Sequence, residues 1–119
     1  MAKILIVEDS DLLNQAYSFM LNAKGHQVVS AFDGLEGLQK ATEFDPEIIL
    51  LDYLMPNLDG KGFLEAYDIP KNHPTVKVLL LTNLSDEDKL QDTLDLGVHQ
   101  HLMKAQTEPW QLVDIIDGL

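Results

Sequence analysis

Residues 3–11 read KILIVEDSD, an apolar run that ends abruptly in the carboxylates Glu8 and Asp9. Because the apolar residues do not alternate with polar ones, the run predicts a strand covered on both faces, as in a parallel sheet. Two carboxylates about 5 Å apart repel each other by roughly 3 kcal/mol at an effective dielectric constant of about 20. A positive charge is therefore expected beside the end of this strand.

Four further apolar runs along the chain predict four more strands: QVVSA, EIILLD, VKVLLLT and GVHQHLM. Segments with helical periodicity separate these runs, and alternation of strand and helix is typical of an α/β fold with a parallel sheet. The stretch YDIPKNHPTV is expected to be a loop, because it contains two prolines and an asparagine. The pattern predicts five βα units in one domain covering residues 1–119.

The helices are expected to bury one apolar face each. On the first helix this face is predicted to hold Leu12, Ala16, Phe19, Met20 and Ala23, and on the last helix Leu112, Ile115, Ile116 and Leu119. Trp110 and Val113 form a second stripe that is expected to be partly buried. Capping residues are predicted at Ser10 or Asp9, Asp33, Ser85 and Thr107, and Gly25 is expected to end the first helix.

Composition limits the classes of function that the chain can serve. Its 20 acidic and 8 basic residues give a formal charge of −12, which disfavours direct contact with nucleic acid or anionic lipid. The chain has no cysteine, so disulfides, thiolate metal sites and cysteine nucleophiles are excluded. None of the apolar runs approaches the roughly 20 residues of a membrane span. These features favour a soluble protein of the cytoplasm.

Residues with reactive side chains stand at the ends of the predicted strands. In open parallel sheets, ligands bind beyond the carboxyl ends of the strands. Carboxylate oxygens suit Mg²⁺, and a carboxylate beside that ion can act as a nucleophile toward phosphorus. A hydroxyl and an ammonium group can bind the transferred phosphoryl oxygens. The residues concerned are Glu8 and Asp9 after the first strand, Asp52 after the third, Thr82 after the fourth and Lys104 after the fifth.

The segments ILIVEDS, DGLEGL, LLDYLMPNLDG, LLLT and LMK, in this order and spacing, resemble the receiver domain of two-component response regulators. The resemblance extends over essentially the whole chain. It implies a doubly wound, flavodoxin-like sheet of five parallel strands in the order 2-1-3-4-5. It also implies that Asp52 is the phosphoacceptor, that Thr82 follows the phosphoryl group, and that Lys104 is the ion-pairing lysine. Mg²⁺ would be bound by Asp9 and Asp52, by Glu8 through water, and by the backbone carbonyl of Leu54.

The resemblance further implies the partners. A sensor histidine kinase or a phosphotransfer protein would supply the phosphoryl group, and a downstream protein target would read the helix after the fourth strand, the fifth strand and the last helix. The chain would catalyse only its own phosphorylation and slow dephosphorylation. Since no output segment follows the receiver pattern, the chain is expected to be either a stand-alone regulator or a receiver cut from a larger protein.

Several positions depart from the usual receiver pattern. Ala105 follows Lys104 where proline is common, which leaves open whether the usual cis peptide bond is kept there, because a cis bond without proline costs about 3 kcal/mol. His101 replaces the usual aromatic residue, which makes any switching ring titratable. Asn83 replaces a very small residue beside Thr82. Leu54 and Leu84 stand where polar side chains can help to place the hydrolytic water, so their presence predicts slow dephosphorylation.

Three other functions compete with this interpretation. A Mg²⁺-dependent phosphatase with an aspartyl nucleophile usually has a second aspartate where this chain has Leu54. A flavodoxin-like electron carrier is disfavoured because the acidic loop after the first strand would repel a flavin phosphate. An interaction module without phosphorylation is disfavoured because Asp52, Asp9 and Lys104 are all present. His99 and His101 are predicted to pack rather than to bind a metal.

Overall fold

The apolar runs form one parallel sheet in the computed structural model, which describes residues 1–83 and 91–119. Within those residues the strand order is β2-β1-β3-β4-β5, and every neighbouring pair is parallel. The predicted doubly wound fold and its strand order are therefore confirmed. The strands are β1 (Lys3–Val7), β2 (Gln27–Ala31), β3 (Ile48–Asp52), β4 (Lys77–Thr82) and β5 (Gln100–Met103).

Helices cover both faces of the sheet. They are α1 (Asp11–Ala23), α2 (Gly34–Phe44), α3 (Gly60–Tyr67), the short α4 (Ile69–Asn72) and α5 (Pro109–Asp117); residues 91–93 are also helical, and 3₁₀ turns span Leu94–Leu96 and Lys104–Gln106. No helix in the described part of the chain is long and apolar enough to cross a membrane.

Two apolar layers hold the helices against the sheet. Side chains of alternate strand residues point to opposite faces, so Leu5, Ile49 and Leu80 join Phe63 and Leu64 of α3 on one side. On the other side the strands meet α1 and α5 through Ile4, Ile6, Leu50, Leu79, Tyr17, Leu21, Leu112 and Ile116. All these side chains are at most 2% exposed. The continuous apolar strands are thus explained by burial on both faces.

The predicted buried face of α1 is only partly correct: Met20 packs against the core, but Leu12 and Phe19 do not. Leu12 and Phe19 are 79% and 77% exposed, whereas Asn14, Tyr17 and Leu21 are buried. The reason lies in Asn14, whose side-chain amide donates to the carbonyl oxygens of Glu8 at 2.9 Å and Ala31 at 3.0 Å. These bonds satisfy buried polar groups at the ends of β1 and β2 and rotate the helix away from the face that apolar periodicity alone selects.

The helix ends agree with most of the predicted caps. Ser10 Oγ accepts from the Leu13 amide, Asp33 caps α2, and Gly25 follows α1 with φ +90°. The cap of α5 is Glu108, in a capping box with Gln111, and not Thr107, whose hydroxyl donates to the Met103 carbonyl. The predicted cap Ser85 lies outside the described residues.

Two further expectations about α4 and α5 need correction. The segment predicted as a loop before β4 contains α4, because Pro70 stands in the first turn, where a missing amide costs the helix no hydrogen bond. On α5, Leu112, Val113 and Ile116 are buried as expected. Trp110 is 58% exposed, however, and Leu119 lies beyond the helix end and is 36% exposed.

Candidate functional site

Three carboxylates meet at the carboxyl edge of the sheet. Carboxylate oxygens of Glu8, Asp9 and Asp52 lie within 4.8 Å of one another. Parallel pairing of Val7 with Leu51 brings the ends of β1 and β3 side by side, although the residues are far apart in sequence. Glu8 is 1% exposed and Asp52 3% exposed, whereas Asp9 is exposed. The predicted convergence of these side chains is therefore observed.

Lys104 supplies the positive charge that this cluster requires. Its Nζ lies 2.6 Å from Glu8 Oε1 and 3.0 Å from Asp52 Oδ2, and its side chain is 15% exposed. One ammonium group offsets only part of the charge of three carboxylates. Asp52 Oδ1 is buried and has no hydrogen-bond partner within the described part of the chain. An oxygen of this kind is open to a cation or to an incoming electrophile.

Burial and mutual repulsion shift the titration of this cluster. Burial raises the pKa of Asp52, the hydrogen bond and charge of Lys104 oppose that rise, and the charge of Asp9 adds to it. The pKa of Glu8 is raised by burial against the opposing hydrogen bond from Lys104. Burial acts to lower the pKa of Lys104, but its hydrogen bonds to Glu8 and Asp52 outweigh that effect and raise it. The buried carboxylates of Glu8 and Asp52 thus carry a cost that added positive charge would relieve.

The donor set of the cluster fits a hard divalent cation. Carboxylate oxygens are the protein ligands that Mg²⁺ prefers, and the ion usually retains several waters. In the described residues, this is the one group of three or more acidic, histidine or cysteine side chains close enough to hold a metal. The exposed Asp9 leaves one side of the cluster open to solvent. Asp52 Oδ1, which has no hydrogen-bond partner among residues 1–83 and 91–119, gives a second reason for a cation here.

Thr82 and Leu54 flank the cluster. Thr82 is the last residue of β4 and is 4% exposed. Asp52 of β3 is paired with Leu81 of β4, and Thr82 is the next residue along β4. Thr82 therefore ends the strand adjacent to the one that carries Asp52. Leu54 is the second residue of the loop after β3, and its side chain is 48% exposed. Asn83 is exposed and Leu84 lies outside the described residues.

The two histidines near β5 have different environments. His99 precedes the strand, is exposed, and donates its amide to the Val78 carbonyl. His101 is half-buried, and its Nε2 lies 2.9 Å from Thr93 Oγ1. Burial lowers the pKa of His101, which favours the neutral ring. The described residues contain no cis peptide bond, so Lys104 is joined to Ala105 by a trans bond.

Sequence reasoning missed the polar contacts that support the site. Asn14 holds the carbonyl of Glu8, and Asn57 Nδ2 donates to Asp33 Oδ2 at 2.7 Å. Gly34 approaches the backbone of Leu58 so closely that an added Cβ would collide with the Leu58 carbonyl oxygen. A lone asparagine on a helix carries no pattern that reveals such a role. The first glycine of DGLEGL is the one available signal, because a glycine at a helix start is consistent with close packing, but it does not identify the partner.

Comparisons with known proteins agree with this geometry. A family model described as the response regulator receiver domain matches residues 4–117. The structure of the chemotaxis response regulator CheY4 of Vibrio cholerae superposes with a TM-score of 0.87 at 30% identity and covers 99% of this chain and 98% of that one. The oxygen regulatory protein NreC of Staphylococcus aureus is 32% identical over 115 residues, 95% of this chain.

Curated relatives are longer than this chain. The matched part of NreC is 52% of that protein, and the hybrid signal transduction histidine kinase D of Dictyostelium discoideum matches over 6% of its length at 33% identity. The region that the family model matches, residues 4–117, includes the strand ends at which Asp9, Asp52 and Lys104 meet. The chain belongs to the response regulator receiver domain family of two-component signal transduction.

Proposed function

We propose that the protein is a phosphoacceptor switch that takes a phosphoryl group onto Asp52 in a Mg²⁺-dependent reaction. The observation that carries this proposal is the buried Asp52 carboxylate, whose Oδ2 accepts from Lys104 while Oδ1 has no partner in the described residues. A carboxylate of this kind combines a free oxygen for attack with a fixed cation beside it. The donor is a sensor histidine kinase or a phosphotransfer protein that carries a phosphohistidine.

Four residues would hold the metal. Asp9 and Asp52 are the direct carboxylate ligands, Leu54 contributes its backbone carbonyl, and Glu8 acts through a water molecule. The buried, unpartnered Asp52 Oδ1 and the excess of carboxylate over ammonium charge support this assignment. When bound, Mg²⁺ supplies positive charge that offsets the negative phosphoryl oxygens.

The chain's own residues perform the transfer. An oxygen of Asp52 forms a bond to phosphorus while the phosphorus–nitrogen bond of the phosphohistidine breaks. The imidazole nitrogen leaves with that electron pair and takes up a proton. The ammonium group of Lys104, which lies 3.0 Å from Asp52 Oδ2, binds a phosphoryl oxygen of the product. The hydroxyl of Thr82, the last residue of β4, donates to another phosphoryl oxygen. This hydrogen bond couples the phosphoryl group to that strand.

The signal leaves through the surface of the helix after β4, strand β5 and helix α5, which a downstream protein target recognises. His101 of β5 supports this route, since its ring contacts Thr93 of the helical segment before the strand. A new charge at Thr82 can therefore change the packing between these elements.

We propose that residues 1–119 act in the cytoplasm as one receiver domain. The charge of −12 favours protein contacts over direct DNA binding.

The proposed reaction is tested by incubating the protein with acetyl phosphate and Mg²⁺ and measuring the intact mass. Wild type is expected to gain the mass of one phosphoryl group. Asp52→Asn, and wild type in chelator, should gain none. Glu65→Gln is a suitable control because Glu65 is exposed on α3. Equal phosphorylation of wild type and Asp52→Asn would refute the assignment of the acceptor.

A further inference from the structure

The loop between β3 and α3, residues 53–59, carries the Leu54 carbonyl that is proposed to bind Mg²⁺. Its ends are fixed by backbone hydrogen bonds. The Tyr53 amide donates to the Leu81 carbonyl at 2.9 Å, and the Gly60 amide donates to the Tyr53 carbonyl at 2.6 Å. These bonds set where the loop leaves and rejoins the fold. Between them the Leu58 amide donates to the Pro56 carbonyl at 2.8 Å, a bond within the loop that does not tie it to the rest of the fold.

Asn57 connects the middle of this loop to helix α2. Its Nδ2 donates to Asp33 Oδ2 at 2.7 Å, while Asp33 Oδ1 accepts from the Glu36 amide at 2.8 Å. One carboxylate thus caps α2 and holds the loop at the same time. The Glu36 amide, together with the Asn57 side chain, lowers the pKa of Asp33. The carboxylate is therefore ionised at neutral pH, and its hydrogen bonds are charge-assisted.

The backbone of the loop is also unusual at this point. Asn57 has φ +70°, in the left-handed region that asparagine tolerates better than most residues. Next to it, Leu58 lies against Gly34, where an added Cβ would collide with the Leu58 carbonyl oxygen. The loop and the start of α2 are thus joined by a hydrogen bond and by close backbone packing, so a shift of one requires a shift of the other.

We propose that Asn57 and Asp33 form a positioning pair that fixes the Leu54 carbonyl and thereby sets the affinity for Mg²⁺. This inference rests on the proposed Mg²⁺ site. Groups that hold metal ligands in place typically contribute about 10- to 100-fold to affinity. Because the Asn57–Asp33 bond lies at the exposed surface, the lower end of that range, about tenfold, is expected here.

The test is a calorimetric Mg²⁺ titration of variants that remove this hydrogen bond. Asn57→Gly keeps the left-handed backbone, and Asp33→Ser keeps an N-cap for α2. Each is expected to weaken Mg²⁺ binding about tenfold, and the double variant should lose no more than either single one, because both remove the same interaction. Asn22→Ala is the control, since Asn22 contacts Ser18 on α1, away from the loop.

An exchange of the two residues separates the hydrogen bond from a general loss of stability. The combined variant Asp33→Asn with Asn57→Asp restores a donor facing an acceptor and keeps the net charge, so its affinity should return to near the wild-type value. Unchanged affinity in both single variants, or additive losses without recovery in the exchanged variant, would overturn the positioning role. A wild type that does not bind Mg²⁺ would instead refute the proposed metal site, and the positioning role would fall with it.

Discussion

Replacing Asp52 by asparagine should stabilise the metal-free protein, although it removes a buried ion pair. At an effective dielectric constant of about 20, the 3.0 Å contact with Lys104 attracts Asp52 by about 5.5 kcal/mol. Glu8, with an oxygen within 4.8 Å, repels it by at least about 3.5 kcal/mol, and burial of the charge costs several kcal/mol more. The opposing terms exceed the attraction, in agreement with the raised pKa of Asp52.

We expect a gain of about 1–2 kcal/mol for Asp52→Asn at neutral pH, which corresponds to a rise in Tm of about 4–8 °C. The assay is thermal unfolding in chelator, followed by circular dichroism. Glu65→Gln removes an exposed charge of the same sign and should change stability by less than about 0.5 kcal/mol. With saturating Mg²⁺ the order should reverse, because wild type gains binding energy that the variant has lost.

The pH dependence of this difference has a fixed sign. A carboxyl group whose pKa is higher in the folded than in the unfolded state destabilises the fold once the pH exceeds its unfolded value. The advantage of Asp52→Asn should therefore vanish below the usual pKa of 3.8 and grow as the pH rises through the raised value of the folded state. A lower Tm for the variant in chelator at neutral pH would refute the electrostatic reasoning.

Three further predictions follow from the same site. Lys104→Met leaves the buried Glu8 and Asp52 without their cation, so the free energy of unfolding in chelator should fall by about 3–5 kcal/mol. Lys71→Met is the control because Lys71 is exposed, and an equal loss there would contradict the prediction. Leu54→Asn should speed loss of the phosphoryl group about tenfold, or about 1.4 kcal/mol of barrier, in a decay assay after donor removal; equal decay would show that Leu54 does not exclude the water. Phosphorylation should shift the NMR signals of residues 91–117, and shifts confined to residues 10–45 would contradict the proposed output surface.

The sheet and the position of the site could be predicted from sequence because each depends on a rule of topology. Apolar runs without alternation require burial on both faces, and strand ends in a parallel sheet converge at one edge. Asp52 and Lys104 are 52 residues apart, yet this rule places them together, and the structure shows them in contact.

Other features depended on single polar contacts that periodicity does not encode. The face of α1 was mispredicted because the buried Asn14 interrupts the apolar pattern while satisfying two carbonyl groups. The prediction of a loop in place of α4 rests on its prolines, but Pro70 is compatible with a first helical turn. The contact between Asp33 and Asn57 depends on the path of a loop, which local sequence does not determine.

The proposed function depends above all on Asp52 itself accepting the phosphoryl group. The direct measurement is to phosphorylate the protein with acetyl phosphate and Mg²⁺, reduce the acyl phosphate with borohydride, and map the product by peptide mass spectrometry. Reduction converts an acyl phosphate to an alcohol, so the modified side chain is identified by its mass. We expect modification at Asp52 alone and none after treatment in chelator. Modification at Asp9 or Glu8 instead, or at a residue outside the cluster, would contradict it.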